Sequence, residues 1–151
     1  MRLLPLSLDI SQKTVVVVGG GPIAARKTEK VLSAGGIVTV VAPQITEKLE
    51  HLSNEGKIKW VKDVCRPAYL VHAFMIISAS GSKEAQSIIQ RSAQPGQLIN
   101  GADNPAIGNV AFTATIEHED CMISISTLGK DPSLAKRMKH KLQKMLNKEE
   151  K

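Results

Sequence analysis

Aromatic residues make up only 3% of the 151-residue chain, and cysteine occurs twice. So few aromatic rings leave no stacking platform for bases, and we therefore expect no nucleic-acid partner. Cys65 and Cys121 lie far apart, without the spacing of metal ligands, so we expect neither a disulfide nor a zinc site. The four histidines also lack the spacing of a metal site, and we expect no bound metal.

Long hydrophobic runs are missing as well. No apolar stretch approaches the roughly 20 residues that a membrane-spanning helix needs. The first 13 residues contain a proline and an aspartate, where a secretory signal has an unbroken apolar segment. We therefore expect a cytoplasmic protein without a membrane partner. A hydrophobic content of 42% is enough for one main core.

Positive charge is concentrated at the C-terminal end. The formal net charge is +6, and residues 136–151 hold seven Lys or Arg against two Glu, which accounts for five of the six charges. A basic helix of this kind binds an acidic small molecule or a membrane surface, or it forms an ordinary solvated face. The composition alone does not choose among these.

Apolar runs of strand length alternate with helix-length segments through the first two-thirds of the chain. Continuous runs of Val, Ile, Leu and Met are typical of parallel strands that are buried on both faces. Pro22 and Ser82 are favoured residues at helix starts, and Gly35 and Pro95 are typical of helix ends. The alternation predicts an α/β fold with a doubly wound parallel sheet. We predict strands at 14–19, 36–42, 57–61, 73–79 and 96–101.

The pattern changes after Asp103. Two strand-like segments within 108–129 flank a polar turn, which predicts a β-hairpin. An isolated hairpin is hardly stable, so we infer a homodimer built partly on these strands. Asp131 and Pro132 predict the start of a terminal helix. One stripe of that helix carries Leu134, Met138, Leu142 and Met145.

The segment VVVVGGGPIAARK at 15–27 contains a glycine-rich turn between a predicted strand and a predicted helix. Gly19, Gly21 and Ala24 form a G-x-G-x-x-A pattern. The first glycine permits a tight turn, the second lets a pyrophosphate approach the backbone, and the alanine lets the helix pack closely. The phosphate would meet free N–H groups and the positive end of the helix dipole. This context favours a dinucleotide site over a plain tight turn.

The end of the second strand bears on the type of dinucleotide. NAD sites usually hold the ribose with an acidic residue at the end of the second strand. Here that strand ends in VVAP at 40–43, and no arginine stands there to accept a 2′-phosphate. We favour NAD over NADP.

Several segments together resemble one family, the precorrin-2 dehydrogenases of sirohaem biosynthesis, some of which are also sirohydrochlorin ferrochelatases. The resemblance covers nearly the whole chain. The fold it implies is a Rossmann-like doubly wound sheet, followed by a β-hairpin dimerisation region and a terminal helix. The segments are LPLSLDISQKTVVVVGGGPIAARK (4–27), VTVVAP (38–43), NGADNP (100–105), GNVAFTA (108–114) and ISISTLGKDPSLAKRMKHKL (123–142).

The resemblance implies that the chain converts precorrin-2 to sirohydrochlorin by passing a hydride to NAD, and that it works as a dimer. It places the family's essential aspartate at Asp103, for which we expect the role of general base. Taken alone, Asp103-Asn104-Pro105 is a turn signal. The cofactor-binding residues that it implies are Gly19, Gly20, Gly21, Pro22 and Ile23, with Ala42 and Pro43 near the adenosine.

The implied substrate carries eight carboxylates, so a site that faces it needs cations. Lys130 and Lys136 would supply them, with Ser126 and Thr127 as further contacts. Alternatively, the lysines solubilise a helix and the serines belong to a half-buried strand. The sequence SASGS at 78–82 stands where the family has Ala-Thr-Asp-Asp.

We divide the chain into an NAD-binding domain at 1–105 and a region of dimerisation strands and basic helix at 106–151. The resemblance implies that longer members carry a further helical region. Two alternatives to a dehydrogenase stay open at this point. One is a bifunctional dehydrogenase and ferrochelatase, and the other is a non-catalytic NAD(H)-binding module.

Overall fold

The computed structural model describes residues 3–128 and 130–149. The chain divides into two compact units. The larger unit comprises residues 5–110, and the smaller one comprises residues 111–151 together with 1–4. Within the described ranges, no helix is both long enough and apolar enough to cross a bilayer.

The larger unit contains a sheet of five parallel strands, in the order β3-β2-β1-β4-β5. All five predicted strands are present, each trimmed by up to three residues, so the predicted α/β class is confirmed. Continuous apolar runs form these strands because both faces of the sheet are covered. The strands are β1 (Thr14–Val18), β2 (Ile37–Val41), β3 (Ile58–Val61), β4 (Met75–Ser78) and β5 (Leu98–Gly101).

Helices connect the strands, and two of them begin where the sequence predicts. Pro22 is the first residue of α1, and the hydroxyl of Ser82 caps α4 by accepting the amide N–H of Ala85 at 3.3 Å. A short 3₁₀ turn follows β5 at Pro105–Ile107. The helices are α1 (Pro22–Ser33), α2 (Glu47–Asn54), α3 (Pro67–Leu70) and α4 (Lys83–Ser92).

Both faces of the sheet are buried, as its apolar strands require. On one face, Val16, Ile76 and Ile99 from three neighbouring strands pack with Leu70 of α3 and Ile89 of α4. The alternate residues of the same strands are buried as well, because successive side chains of a strand point to opposite faces. The sheet is therefore a rigid platform for the loops at the carboxyl ends of its strands.

The free edge of β5 is covered by an asparagine. Asn109 accepts the backbone N–H of Ile99 at 2.7 Å and donates to the carbonyl of Gln97 at 3.0 Å. Its side chain thereby satisfies edge groups that would otherwise be open to another strand. The first strand of the hairpin begins at Ala114, inside the predicted range 108–129.

The smaller unit contains the predicted hairpin and terminal helix, which are both confirmed. Antiparallel strands β6 (Ala114–His118) and β7 (Cys121–Ile125) pair, and α5 (Pro132–Glu149) packs against both. Asp131 caps α5 by accepting the N–H of Leu134 at 2.8 Å. The hairpin is therefore covered by α5 of its own chain, and the homodimer inferred from these strands stays a prediction.

The packing face of α5 differs from the predicted stripe. Ala135 is buried and Leu142 is half-buried, whereas Leu134, Met138 and Met145 are exposed. The predicted stripe is therefore only partly buried within the smaller unit.

Candidate active site

The order of the strands places a crevice at the carboxyl ends of β1 and β4. These two strands are neighbours, and the chain runs from β1 toward one side of the sheet and from β4 toward the other. Open parallel sheets bind their ligands at such a reversal of strand order. We call the row formed by the carboxyl ends of β1 to β5 the carboxyl edge. The glycine turn and Asp103 both lie on this edge.

Gly19 makes the tight turn that follows β1. Its φ of +126° is a conformation that side chains rarely permit, and a Cβ atom there would lie 2.5 Å from the carbonyl oxygen of Ala79. Its amide donates to the carbonyl of Val41 at 3.0 Å. Gly19 therefore joins the ends of three strands, and only glycine fits this position.

Gly20 has a packing role that the sequence pattern did not indicate. A Cβ atom at this position would collide with the carbonyl oxygen of Gln44 in the loop after β2. The carbonyl of Gly20 also accepts the amide of Thr46 at 2.9 Å. The middle glycine thus holds the loop between β2 and α2 against the glycine turn.

Gly21 faces open space, in contrast to its two neighbours. Nothing lies within 4 Å of the position that a Cβ atom would occupy. Gly21 is the N-cap of α1 and has no side chain to accept a hydrogen bond. The backbone N–H groups of the first turn can therefore donate to another acceptor. Pro22 and Ile23 follow on the exposed side of that turn. This open cradle at a helix N-terminus fits a pyrophosphate.

The start of α1 is also positively charged. Its first turn contains no acidic residue, while Arg26 and Lys27 follow in the second turn. Burial, together with the nearby charges of Arg26 and Lys30, lowers the pKa of Lys27 to about 8. Cations at a helix N-terminus are unfavourable next to the helix dipole, so this end of α1 favours a bound anion.

Ala42 and Pro43 lie directly after β2, as the resemblance places them. The indole Nε1 of Trp60 donates to the carbonyl of Ala42 at 2.9 Å, and Lys62 lies 5.6 Å from the centre of the indole ring. The amide of Ala42 donates to the carbonyl of Val61 at 3.1 Å. The end of β2 is therefore fixed by β3, with the only tryptophan of the chain beside it.

Asp103 lies just beyond β5 and is bonded to the end of β4. Its Oδ1 atom accepts the hydroxyl of Ser78 at 2.8 Å, and its Oδ2 atom accepts the amide of Gly81 at 2.8 Å. The side chain is half-buried. These bonds tie β5 to the loop at 79–82, which packs against Gly19. The structure thus brings Asp103 and the glycine turn to a common loop.

Ser78 and Gly81 are site residues that the sequence reasoning missed. Ser78 is a fully buried polar residue that ends the apolar strand MIIS. A polar side chain at the carboxyl end of a buried strand is a signal for a site, and it identifies Ser78. Nothing in the sequence identifies the amide of Gly81, because its role depends on a φ of +70°.

The four candidate substrate residues all belong to the smaller unit. Lys130 and Lys136 are exposed. The hydroxyl of Thr127 donates to the carbonyl of Asp131 at 2.8 Å, and the Oγ of Ser126 accepts the amide of Leu128 at 3.1 Å. Both hydroxyls therefore help to shape the turn that precedes α5.

A further carboxylate, Asp63, lies after the end of β3. It accepts hydrogen bonds from Arg66 Nε at 2.7 Å, from the hydroxyl of Tyr69 at 2.7 Å and from the amide of Val64 at 2.8 Å. These bonds, with that of Arg66 first, lower its pKa to about 2. Asp63 organises the connection to α3, since every one of these partners lies in that segment.

Two cavities flank the sheet of the larger unit. The larger one, of about 550 Å³, lies at the amino ends of the strands, near Lys13 and Phe74. The smaller one, of about 350 Å³, lies beside the first turns of α1 and α2, where Glu29 and Lys48 form an ion pair at 2.6 Å. The larger cavity is therefore not the expected ligand site, because parallel sheets bind their ligands at the carboxyl ends of the strands.

Among residues 3–128 and 130–149, no three His, Cys, Asp or Glu side chains come together as a metal site requires. Cys65 is buried and Cys121 is exposed, and both are free thiols.

Comparisons with known proteins agree with this geometry. A family described as putative NAD(P)-binding matches residues 6–114. The chain is 31% identical over 145 residues to a protein named precorrin-2 dehydrogenase from Bacillus subtilis (strain 168), an alignment that covers 96% of the chain and 90% of that protein. A solved structure titled "SirC, precorrin-2 dehydrogenase" superposes with a TM-score of 0.85 at 28% identity, covering 94% of the chain and 70% of that structure.

Longer proteins contain a related segment. The chain is 33% identical over 147 residues to Siroheme synthase 1 of Aeromonas salmonicida (strain A449), an alignment that covers 97% of the chain. The chain spans only 31% of the length of that protein.

Proposed function

The chain belongs to the precorrin-2 dehydrogenase family, and we propose that it oxidises precorrin-2 to sirohydrochlorin in sirohaem biosynthesis, with NAD⁺ as the oxidant. The observation that carries this proposal is the common position of the glycine turn and Asp103 on the carboxyl edge. The loop at 79–82 packs against Gly19 and donates an amide to Asp103. The glycine turn for the cofactor and the carboxylate for proton transfer therefore both lie next to this loop.

We assign dinucleotide binding to Gly19, Gly20, Gly21, Pro22 and Ile23, with Ala42 and Pro43 toward the adenosine. Gly21 and the first turn of α1 would hold the pyrophosphate, while Gly19 and Gly20 shape the turn. When bound, NAD⁺ supplies the acceptor for the hydride that leaves the macrocycle. The same oxidation releases one proton, which Asp103 accepts at a carboxylate oxygen as general base.

We propose that the cations after β7 bind the carboxylates of precorrin-2. Lys130 and Lys136 are exposed and free to approach an anionic ligand. Ser126 and Thr127 contribute by shaping the turn in which Lys130 lies. We keep the division into an NAD-binding domain at 1–105 and a region of substrate contacts at 106–151 as part of this proposal, which the larger unit at 5–110 supports approximately.

We further propose that the protein acts as a cytoplasmic homodimer. The exposed side chains of Met122 on β7 and of Leu134, Met138 and Met145 on α5 support an interface in the smaller unit. Two copies of one patch bury such side chains around a twofold axis. Sedimentation should find a dimer at micromolar concentration, and a monomer at tens of micromolar, well above ordinary dimer affinities, would reject this assembly.

The dehydrogenase function is tested with purified protein and precorrin-2. Adding NAD⁺ should produce sirohydrochlorin and NADH in equal amounts, with no conversion when NAD⁺ is omitted. Protein that binds NADH but leaves the spectrum of precorrin-2 unchanged would instead be a non-catalytic NAD(H)-binding module.

A further inference from the structure

The Asp103 carboxylate is held by the end of β4, and a buried hydroxyl provides one of the two bonds. Ser78 Oγ donates to Asp103 Oδ1 at 2.8 Å, and Ser78 is fully buried. We propose that Ser78 is a positioning residue for the dehydrogenation, which fixes the orientation of the Asp103 carboxylate for proton transfer. This inference rests on the proposed role of Asp103 as general base.

Ser78 occupies a central position on the carboxyl edge. It is in register with Val18 of β1 on one side and with Gly101 of β5 on the other. Its carbonyl also accepts the amides of Ala102 at 2.9 Å and Asp103 at 3.2 Å. Ser78 therefore fixes both the backbone and the carboxylate of Asp103 relative to the strand that leads into the glycine turn.

The second bond comes from the amide of Gly81, which lies 2.8 Å from Asp103 Oδ2. The last torsion of an aspartate side chain has a broad energy minimum, so a single hydrogen bond leaves the carboxylate free to rotate. Donors on two different oxygens fix its plane. A carboxylate has about four lone-pair positions, so two accepted bonds leave positions on both oxygens for a proton.

Of the two hydrogen bonds to the Asp103 carboxylate, the one from the Ser78 hydroxyl can be removed by mutation. Ser78→Ala should lower kcat about tenfold, within the loss of up to about 10² that misplacement of a reacting group can cause. The KM for precorrin-2 and the Kd for NAD⁺ should stay within about twofold, because Ser78 is fully buried and acts through the orientation of Asp103 rather than through contact with either ligand. A double variant with Asp103→Ala should be no slower than Asp103→Ala alone, because Ser78 acts only through that carboxylate.

Ser82→Ala is the matched control. Ser82 lies four residues further on, and its hydroxyl caps α4 at Ala85 without contacting Asp103. Loss of the cap should lower the melting temperature while kcat stays close to that of the parent, which separates a general loss of stability from a change at Asp103.

Two results would overturn the role of Ser78. One is a kcat of Ser78→Ala equal to that of the Ser82→Ala control, with Asp103→Ala slow. The other is a double variant whose kcat falls by the product of the two factors measured for the single variants, since Ser78 would then act independently of Asp103. If Asp103→Ala itself is as fast as the parent, the proposed role of Asp103 fails, and this inference fails with it.

Discussion

Gly19 and Ala79 approach each other so closely that a Cβ atom at Gly19 would lie 2.5 Å from the Ala79 carbonyl oxygen. The amide of Ala79 in turn donates to the carbonyl of Val18 at 2.8 Å. Because β1 and β4 meet in this way, the glycine turn and the loop that holds Asp103 form one packed structure. A substitution at Gly19 should therefore affect the stability of the fold, whereas one at Gly21, which faces open space, should affect cofactor binding.

Gly19→Ala should destabilise the fold. The added methyl group meets the Ala79 carbonyl, and the φ of +126° adds strain. We expect a loss of at least about 2 kcal/mol in the free energy of unfolding, measured with urea. The control is Gly56→Ala, where φ is +69° and nothing lies within 4 Å of the new methyl. A loss at Gly19 no larger than that at Gly56 would refute the close packing.

Gly21→Val should keep the fold and weaken NAD binding. The backbone at Gly21 has a φ of −82°, which valine adopts, and the side chain enters open space. That space is where the pyrophosphate would lie, so the affinity should fall at least tenfold, which is about 1.4 kcal/mol. Calorimetric titration with NAD⁺ measures the change. Unchanged affinity in a folded variant would mean that the pyrophosphate lies elsewhere.

NADH binding should quench the fluorescence of Trp60. The indole Nε1 is 2.9 Å from the carbonyl of Ala42, next to the proposed adenosine site, and no other tryptophan contributes to the signal. The measurement is an emission titration of the parent with NADH. Trp60→Phe should abolish the signal, while calorimetry still detects binding. Binding by the parent without any change in tryptophan emission would argue against this position for the cofactor.

Acid should remove the contribution of Asp63 to stability. Hydrogen bonds from Arg66 and Tyr69 lower its pKa from 3.8 to about 2. The unfolded chain therefore takes up the proton first as the pH falls. The stabilisation is complete above about pH 4, near the ordinary pKa of an aspartate, and it disappears as the pH falls through about 2.

Urea unfolding of Asp63→Asn and the parent tests this linkage. The parent should be the more stable protein at neutral pH, and the gap should close toward pH 2. The control is Asp120→Asn in the hairpin turn, which also removes a carboxylate charge. Asp120 does not accept the hydrogen bonds from Arg66 and Tyr69 that lower the pKa of Asp63. A gap for Asp63→Asn that is constant from neutral pH to pH 2 would contradict the lowered pKa.

The sequence was sufficient to predict most of the fold. Apolar runs of Val and Ile predict strands that are buried on both faces, and Pro22, Ser82 and Asp131 mark three helix starts correctly. The hairpin lies within the predicted range 108–129, whereas the bonds of Asn109 to the edge of β5 could not be predicted, because residue types alone do not indicate such a contact. The burial of α5 could not be predicted from its apolar stripe, since Ala135 is buried whereas Leu134 and Met138 are exposed.

The candidate site could be predicted only in part. Gly19 and Asp103 lie 84 positions apart, and the sequence pattern with the family resemblance singles out both. Their link through Ser78, Ala79 and Gly81 depends on the pairing of β1, β4 and β5, which is a property of the assembled sheet. Gly20 stays a proposed cofactor residue, and its packing against Gln44 becomes visible only when the loop after β2 is in place.

Asp103→Ala tests the central claim most directly, namely that the carboxylate beside the glycine turn takes the proton released during the oxidation of precorrin-2. The rate of NAD⁺-dependent sirohydrochlorin formation should fall by about 10² to 10⁴, the usual range for loss of an acid–base group, while calorimetry finds NAD⁺ affinity close to that of the parent. A rate within about twofold of the parent, in a folded variant that binds NAD⁺ normally, would contradict the claim. Asp103 would then only bind Ser78 and Gly81 to order the loop at 79–82.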